Sequence, residues 1–286
     1  MFNCSGMKLR VLPKLSHSLK ILNCVDNLIE SLPELPMLEE LYISGNSHIV
    51  IPALPKTLKI FVCVECFLEE LPELPPNLEV LFCNFNNLRY LPRLPVTLRQ
   101  LECYGNRIVQ LPELRFTQLR QLNCSVNMLE TLPVLPMNLE QIHCGSNSLT
   151  RLPELPLTLQ VMNVHMNELE YLPALPAHLQ ILLCCNNRLT EMPYLPPMII
   201  KLECDIMYTG VNPLFLIKYI NIVHAKLKKC RFLYFSIKYK KQFRKWFYEG
   251  VRQKQAMRDM APERVDSMLA NGMDLEEIYD ILVRNS

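Results

Sequence analysis

Twelve cysteines and six histidines are the side chains with the most chemical reach in this 286-residue sequence. Thiols bind zinc, form disulfides or act as nucleophiles, and their spacing decides which. A zinc site usually needs two close pairs of ligands, and Cys63-x-x-Cys66 is the only CxxC. His143 and His165 could face each other with Cys185 next in line, which would make a metal trio, but no carboxylate second shell is evident. Cys230 sits in Lys-Lys-Cys-Arg, a basic flank that would lower its pKa, yet no His or Asp is placed convincingly beside it. His224 is six residues upstream. There is no phosphate-binding glycine loop, no nucleophile elbow and no HExxH. The expectation is therefore no catalytic residue, no metal centre, no cofactor and no small-molecule substrate.

The elements that position these residues are set by a repeat. A Leu-Pro, Ile-Pro or Met-Pro dipeptide begins at Leu12, Leu32, Ile51, Leu71, Leu91, Leu111, Leu132, Leu152, Leu172 and Met192. The intervals are 20 residues with two exceptions, 19 before Ile51 and 21 before Leu132. The generic unit is LxxLxCxxNxLxxLPxLPxx. Within it Leu22 and Cys24 are two apart and share one side of a strand, while Asn23 and Val25 share the other. Asp26-Asn27 follows as a turn. The Asn recurs as Asn46, Asn86, Asn106, Asn127, Asn147, Asn167 and Asn187, with Cys66 in its place once. A buried Asn there can bond the backbone of its own loop and the next. The second half of the unit cannot be a regular helix, because two prolines three apart remove donors and fix φ. Polyproline II geometry, three residues per turn, puts Leu32 and Leu35 on one inward face and leaves Glu34 in water.

This pattern resembles the leucine-rich repeat family, whose LxxLxLxxN signature it matches in most copies. The 20-residue period and the LPxLP half look like the bacterial-effector subtype, and similar repeats occur in proteins of large DNA viruses that infect amoebae. The resemblance covers about residues 2–206. It implies an α/β-type solenoid of about ten repeats, with a parallel sheet on the concave face and an extended convex side. Some effectors with LPxLP repeats carry a C-terminal ubiquitin-ligase domain with a catalytic Cys-x-Asp. Here Cys204-Asp205 lacks the spacer residue, and only Cys230 lies in the tail.

The repeat also accounts for the unusual composition. Eighteen of 22 prolines fill LPxLP slots. Nine of twelve cysteines fill one inward slot: Cys4, Cys24, Cys63, Cys83, Cys103, Cys124, Cys144, Cys184 and Cys204. Ile43 and Val164 fill it elsewhere, so the slot reads as small, buried and apolar, and free Cys behaves as a small hydrophobe. Residues 1–15 lack the apolar run of an export signal. The most hydrophobic stretch, 213–225, is too short and polar to span a bilayer. An intracellular, reducing compartment is the expectation, with the thiols unbridged.

Outward strand positions define the expected binding surface for another protein. One column reads Asn23, Tyr42, Val62, Phe82, Glu102, Asn123, His143, Asn163, Leu183 and Glu203. The next reads Val25, Ser44, Val64, Asn84, Tyr104, Ser125, Gly145, His165, Cys185 and Asp205. Tyr42, Val62, Val64, Phe82, Phe85 and Tyr104 cluster among them, and exposed aromatics are typical anchors. Glu102, Asn123, His143 and His165 complete the candidate partner-binding set.

The net charge of +2 is an average. Residues 1–206 carry 15 basic and 20 acidic side chains, and 207–286 carry 15 and 8. The expected divisions are a solenoid over 1–206, a basic amphipathic helical cap over 207–258 and a short acidic helical tail over 259–286. Lys238, Lys240, Lys241, Arg244, Lys245 and Arg252 form a basic patch, able to meet an anionic membrane surface or nucleic acid, or simply solvated. The function expected is a non-enzymatic protein-interaction module. A substrate-recruiting part of a ubiquitin-ligase-type effector, or an anionic-surface binder, is the alternative.

Overall fold

Inward apolar residues, mostly Leu and Cys, alternate with outward polar, aliphatic or aromatic residues in every repeat, and the alternation builds one parallel sheet. The computed structural model describes residues 1–204 except 48, 191 and 192. Its strands are β1 (Phe2–Asn3), β2 (Ile21–Asn23), β3 (Glu40–Tyr42), β4 (Ile60–Val62), β5 (Val80–Phe82), β6 (Gln100–Glu102), β7 (Gln121–Asn123), β8 (Gln141–His143), β9 (Val161–Asn163), β10 (Ile181–Leu183) and β11 (Lys201–Glu203). They pair in sequence order throughout. Ten strand spacings of about 4.8 Å make the sheet roughly 48 Å long. The expected helical cap over 207–258, the tail over 259–286, the basic patch and Cys230 lie outside the described residues.

Each three-residue strand hides its middle residue, and the inward slot that follows holds a buried Cys, or Ile43 and Val164 where Cys is missing. Leu22, Leu81, Leu101 and Leu182 are fully buried, as are Cys24, Cys63, Cys83, Cys103 and Cys144. Phe61 and Met162 occupy the same inward row and are also fully buried. Burying each such side chain contributes about 1.5–3 kcal/mol, but only when a neighbouring repeat covers it. The LPxLP halves carry neither helix nor strand among the described residues. Leu94, Leu111, Leu114 and Leu135 are buried there, while Glu34, Arg93, Glu113 and Glu154 between the leucines are exposed.

A tight turn closes each LPxLP segment and starts the next strand. The amide of Leu58 donates to the carbonyl of Pro55 at 3.0 Å, and Leu78, Leu98, Leu139, Leu159 and Leu179 do the same to the proline three back. Both irregular intervals are absorbed at this corner. In the short repeat the turn moves one residue earlier, from Leu35 to Leu38. In the long one Arg115 replaces the proline, and Thr117 donates from both its amide and its hydroxyl to the Leu114 carbonyl. The strand register therefore never slips: Ile21 pairs Glu40 and Gln100 pairs Gln121. A slip of one residue would have turned the leucines outward.

The asparagines form a ladder, with one correction to the sequence reading. Asn106 Nδ2 donates to the carbonyls of Cys83 and Cys103 at 2.9 and 3.0 Å, and its Oδ1 accepts the Leu88 amide at 3.0 Å. The rungs thus tie each turn to the preceding repeat, not the next. Asn27, Asn46, Asn86, Asn127, Asn147, Asn167 and Asn187 repeat the arrangement. At the Cys66 rung the thiol donates to Ile43 and Val64 carbonyls at 3.3 and 3.5 Å but offers no amide oxygen. A second set of clips runs along the corner turns. Thr57, Thr97 and Thr158 hydroxyls donate to Leu38, Leu78 and Leu139 carbonyls at 2.6 to 2.8 Å.

One backbone feature left no mark in the sequence. The residue before each rung has a positive φ in nine successive repeats: Asp26, Gly45, Glu65, Phe85, Gly105, Val126, Ser146, Met166 and Asn186. Only two of the nine are glycine. The left-handed residue turns the chain out of the strand and aims the following Asn inward. Stacking over-determines this conformation, so even Val126 adopts it at φ 53° despite its branched Cβ.

Candidate partner-binding face

The alternation leaves three outward rows per strand, one more than the sequence reading identified. The additional row starts each strand: Ile21, Glu40, Ile60, Val80, Gln100, Gln121, Gln141, Val161, Ile181 and Lys201. Strict period-two alternation carried that signal; Leu22 faces in, so Ile21 must face out. All of these but Lys201 are half-buried.

Tyr42, Val62, Phe82 and Glu102 are direct cross-strand neighbours on β3 to β6, in that order. Ile60 and Val80 pair beside them. Val64 follows β4 on the same face. Phe85 lies just past β5 at a left-handed residue and is 47% exposed. Its ring meets the edge of Tyr104 at a centroid distance of 4.8 Å and an interplanar angle of 82°. Gly105 makes room for it: a Cβ there would lie 2.9 Å from the Phe85 ring. Tyr42, Val62 and Phe82 thus run side by side over β3 to β5, and the Phe85–Tyr104 pair stands beyond the Asn84–Glu102 hydrogen bond.

Its polar neighbours are held by neutral donors. The Tyr42 hydroxyl donates to Glu40 Oε2 at 2.8 Å, and burial together with that carboxylate raises the Tyr42 pKa. Asn84 Nδ2 donates to Glu102 Oε2 at 2.8 Å, and Asn84 Oδ1 accepts the Tyr104 amide at 2.9 Å.

Asn123 and His143 continue the middle row on β7 and β8, beyond the patch. Burial lowers the His143 pKa, with Glu102 opposing the shift. His143 pairs across the sheet with Asn163, whereas His165 lies over Gly145 and contacts Asn163 Oδ1 through its Nδ1. The two rings therefore occupy different rows, and among the described residues no three His, Cys, Asp or Glu side chains come together to hold a metal. His165 stands three strands from Tyr104, about 14 Å along the sheet, and does not join the aromatic patch.

The thiol column faces the core. Burial pushes Cys24 and Cys124 up to about 12, and it raises Cys63, Cys83, Cys103 and Cys144 well above the ordinary range. Cys63 and Cys66 sit in the strand slot and the Asn slot respectively, both buried and both free. Among the described residues no helix is long and apolar enough to cross a membrane.

No family model matches the chain, and no curated protein does either. Solved structures do. The chain is similar to YopM from Yersinia enterocolitica, at 27% identity and a TM-score of 0.51, over 67% of this chain and 57% of that one. It is similar to YopM, a leucine-rich effector protein from Yersinia pestis, at 30% identity and a TM-score of 0.51, over 70% of this chain and 75% of that one. A Shigella effector leucine-rich-repeat domain is 33% identical over 49% of this chain and 63% of that one, with a TM-score of 0.41. The chain thus spans less than two thirds of the length of the first of these structures.

Proposed function

The chain belongs to the leucine-rich-repeat family, and we propose that it is a non-enzymatic protein-interaction module of the short LPxLP, effector-like subtype. The partner site in this reading is the sheet face, concave in the geometry that the resemblance implies. It is centred on Tyr42, Val62, Val64, Phe82, Phe85 and Tyr104, with Glu102, Asn123, His143 and His165 extending it. The observation that carries it is the row of aliphatic and aromatic neighbours on β3 to β5, opposite the buried leucines, with the Phe85–Tyr104 ring pair beside it. A contiguous apolar surface rimmed by polar residues is the usual signature of a protein contact. The likeness to the leucine-rich effector protein of Yersinia pestis supports a protein-interaction role. The basic residues Lys238, Lys240, Lys241, Arg244, Lys245 and Arg252 are proposed as an auxiliary contact to an anionic surface. Loss of vesicle binding at raised salt tests that part.

The main test is a double substitution, Phe82→Ser with Tyr104→Ser, in the full chain. Both side chains are partly exposed, so the thermal midpoint should move little. Partners captured from the native cell by the unaltered chain should be absent from the double variant. An unchanged set of partners would overturn the reading.

A further inference from the structure

Every half-buried carboxylate among the described residues has a cationic partner, with two exceptions on the sheet face. Glu39 bonds Lys20 and Lys59 at 2.8 and 3.0 Å, Glu79 meets Arg99 at 3.7 Å, Glu140 meets Arg120 at 3.0 Å and Glu168 meets Arg188 at 3.2 Å. Glu40 and Glu102 are equally half-buried, and neither has a cation within ion-pair distance. Each accepts from a single neutral donor, Tyr42 or Asn84, which orients the carboxylate, while Lys59 for Glu40 and His143 for Glu102 act on the charge only from beyond ion-pair distance. From β2 to β10 these two are the only acids or bases, histidines aside, in the three outward rows.

Their placement relative to the patch is specific. Glu40 lies at the start of β3 and Glu102 at the end of β6. Ile60, Val62, Val80 and Phe82 fill the two strands between them. Three strand spacings and one two-residue step put the carboxylates roughly 14–16 Å apart. A single ion cannot bridge that gap. An extended peptide rising about 3.3 Å per residue crosses it in four or five residues.

We propose that the partner segment is an extended cationic–apolar peptide, with two Lys or Arg residues four apart, and so on one face, and apolar residues between them. This rests on the sheet-face reading above and names the chemistry of its partner. The basic groups would pair with Glu40 and Glu102 while the intervening side chains cover Val62, Val80 and Phe82. Two partly buried charge pairs correspond to about tenfold in affinity, with a marked dependence on salt.

The probes are fluorescein-labelled synthetic peptides of the form Arg-x-x-x-Arg with Leu and Phe between, which places both arginines on one face of an extended chain, against the full chain. Control peptides carry Glu in place of both arginines, or Ser in place of the apolar residues. We expect the parent peptide to bind about tenfold more tightly than either control. Glu40→Gln with Glu102→Gln, an isosteric change that should leave the thermal midpoint in place, should lose about tenfold and flatten the salt dependence. Equal binding by that double variant, or no binding by any peptide at millimolar concentration, overturns the proposal and leaves the sheet-face reading to its own test. Undiminished peptide binding by the Phe82→Ser, Tyr104→Ser variant overturns the proposal and counts against the sheet-face reading as well.

Discussion

Asn106 shows what a single side chain does in this molecule. It satisfies two buried carbonyls and one buried amide, from two repeats, with one amide group. Asn106→Ala strands the buried Leu88 amide, which costs about 1–3 kcal/mol, and removes one of two donors from each of the Cys83 and Cys103 carbonyls, which Asn86 and Asn127 still serve. We expect it to lower stability by roughly 2–4 kcal/mol, measured as a fall in the urea midpoint. The Cys66 rung runs the other way. Its thiol donates weakly and lacks the oxygen, so Cys66→Asn should raise stability by about 1 kcal/mol. Val126 holds a left-handed backbone that a branched side chain resists, and it is 43% exposed, so little packing is lost on replacement. Val126→Asn should add about 1 kcal/mol, because Asn tolerates that conformation without glycine's extra entropy. The Asn column was legible from residue type alone. The left-handed slot was not, since Asp, Gly, Glu, Phe, Val, Ser, Met and Asn all occupy it and only Gly recurs, twice.

Between neighbouring turns, the row preceding each strand forms a line of alternating charge: Lys20, Glu39, Lys59, Glu79 and Arg99. Hydrogen bonds from Lys20 and then Lys59 hold the Glu39 carboxyl at about 2, below its ordinary 4.5. A depressed carboxylate contributes stability that is present above about 4.5 and lost as the pH falls towards 2. Glu39→Gln should therefore differ in stability from the parent at pH 6, and the gap should close between pH 4.5 and 2. High salt should shrink it at every pH, because both lysines are solvent-exposed. Strand, turn and non-helical segment were all readable from period-two alternation and paired prolines. The direction of the Asn rungs was not. A side chain at a turn can reach either neighbour, and only the stacked backbone makes the preceding repeat the nearer one.

Across the whole solenoid, the column cysteines act as core packing. With pKa values pushed to about 12 for Cys24 and Cys124, almost no thiolate exists near neutrality. In the native full chain at pH 8, iodoacetamide should leave Cys63, Cys83, Cys103, Cys124 and Cys144 unlabelled, as read by peptide mass spectrometry. All should label once guanidinium unfolds the stack. Rapid labelling of the native chain would show an open column, and bridged pairs in alkylated cell extracts would refute the reduced state.

The sequence by itself determined the period, the inward leucines and cysteines, the strand faces and two of the three outward rows. Local patterning suffices for these because a solenoid buries each unit only against its neighbours, so repeat spacing dictates contacts. Tertiary structure alone decided which outward residues stand side by side. Glu40, Ile60, Val80 and Glu102 are 20 or more residues apart in sequence, and only the unslipped register sets the apolar residues between the two carboxylates. It also separated His143 from His165, which sequence spacing had allowed to face each other, because parallel pairing gives each strand position one fixed partner across the sheet.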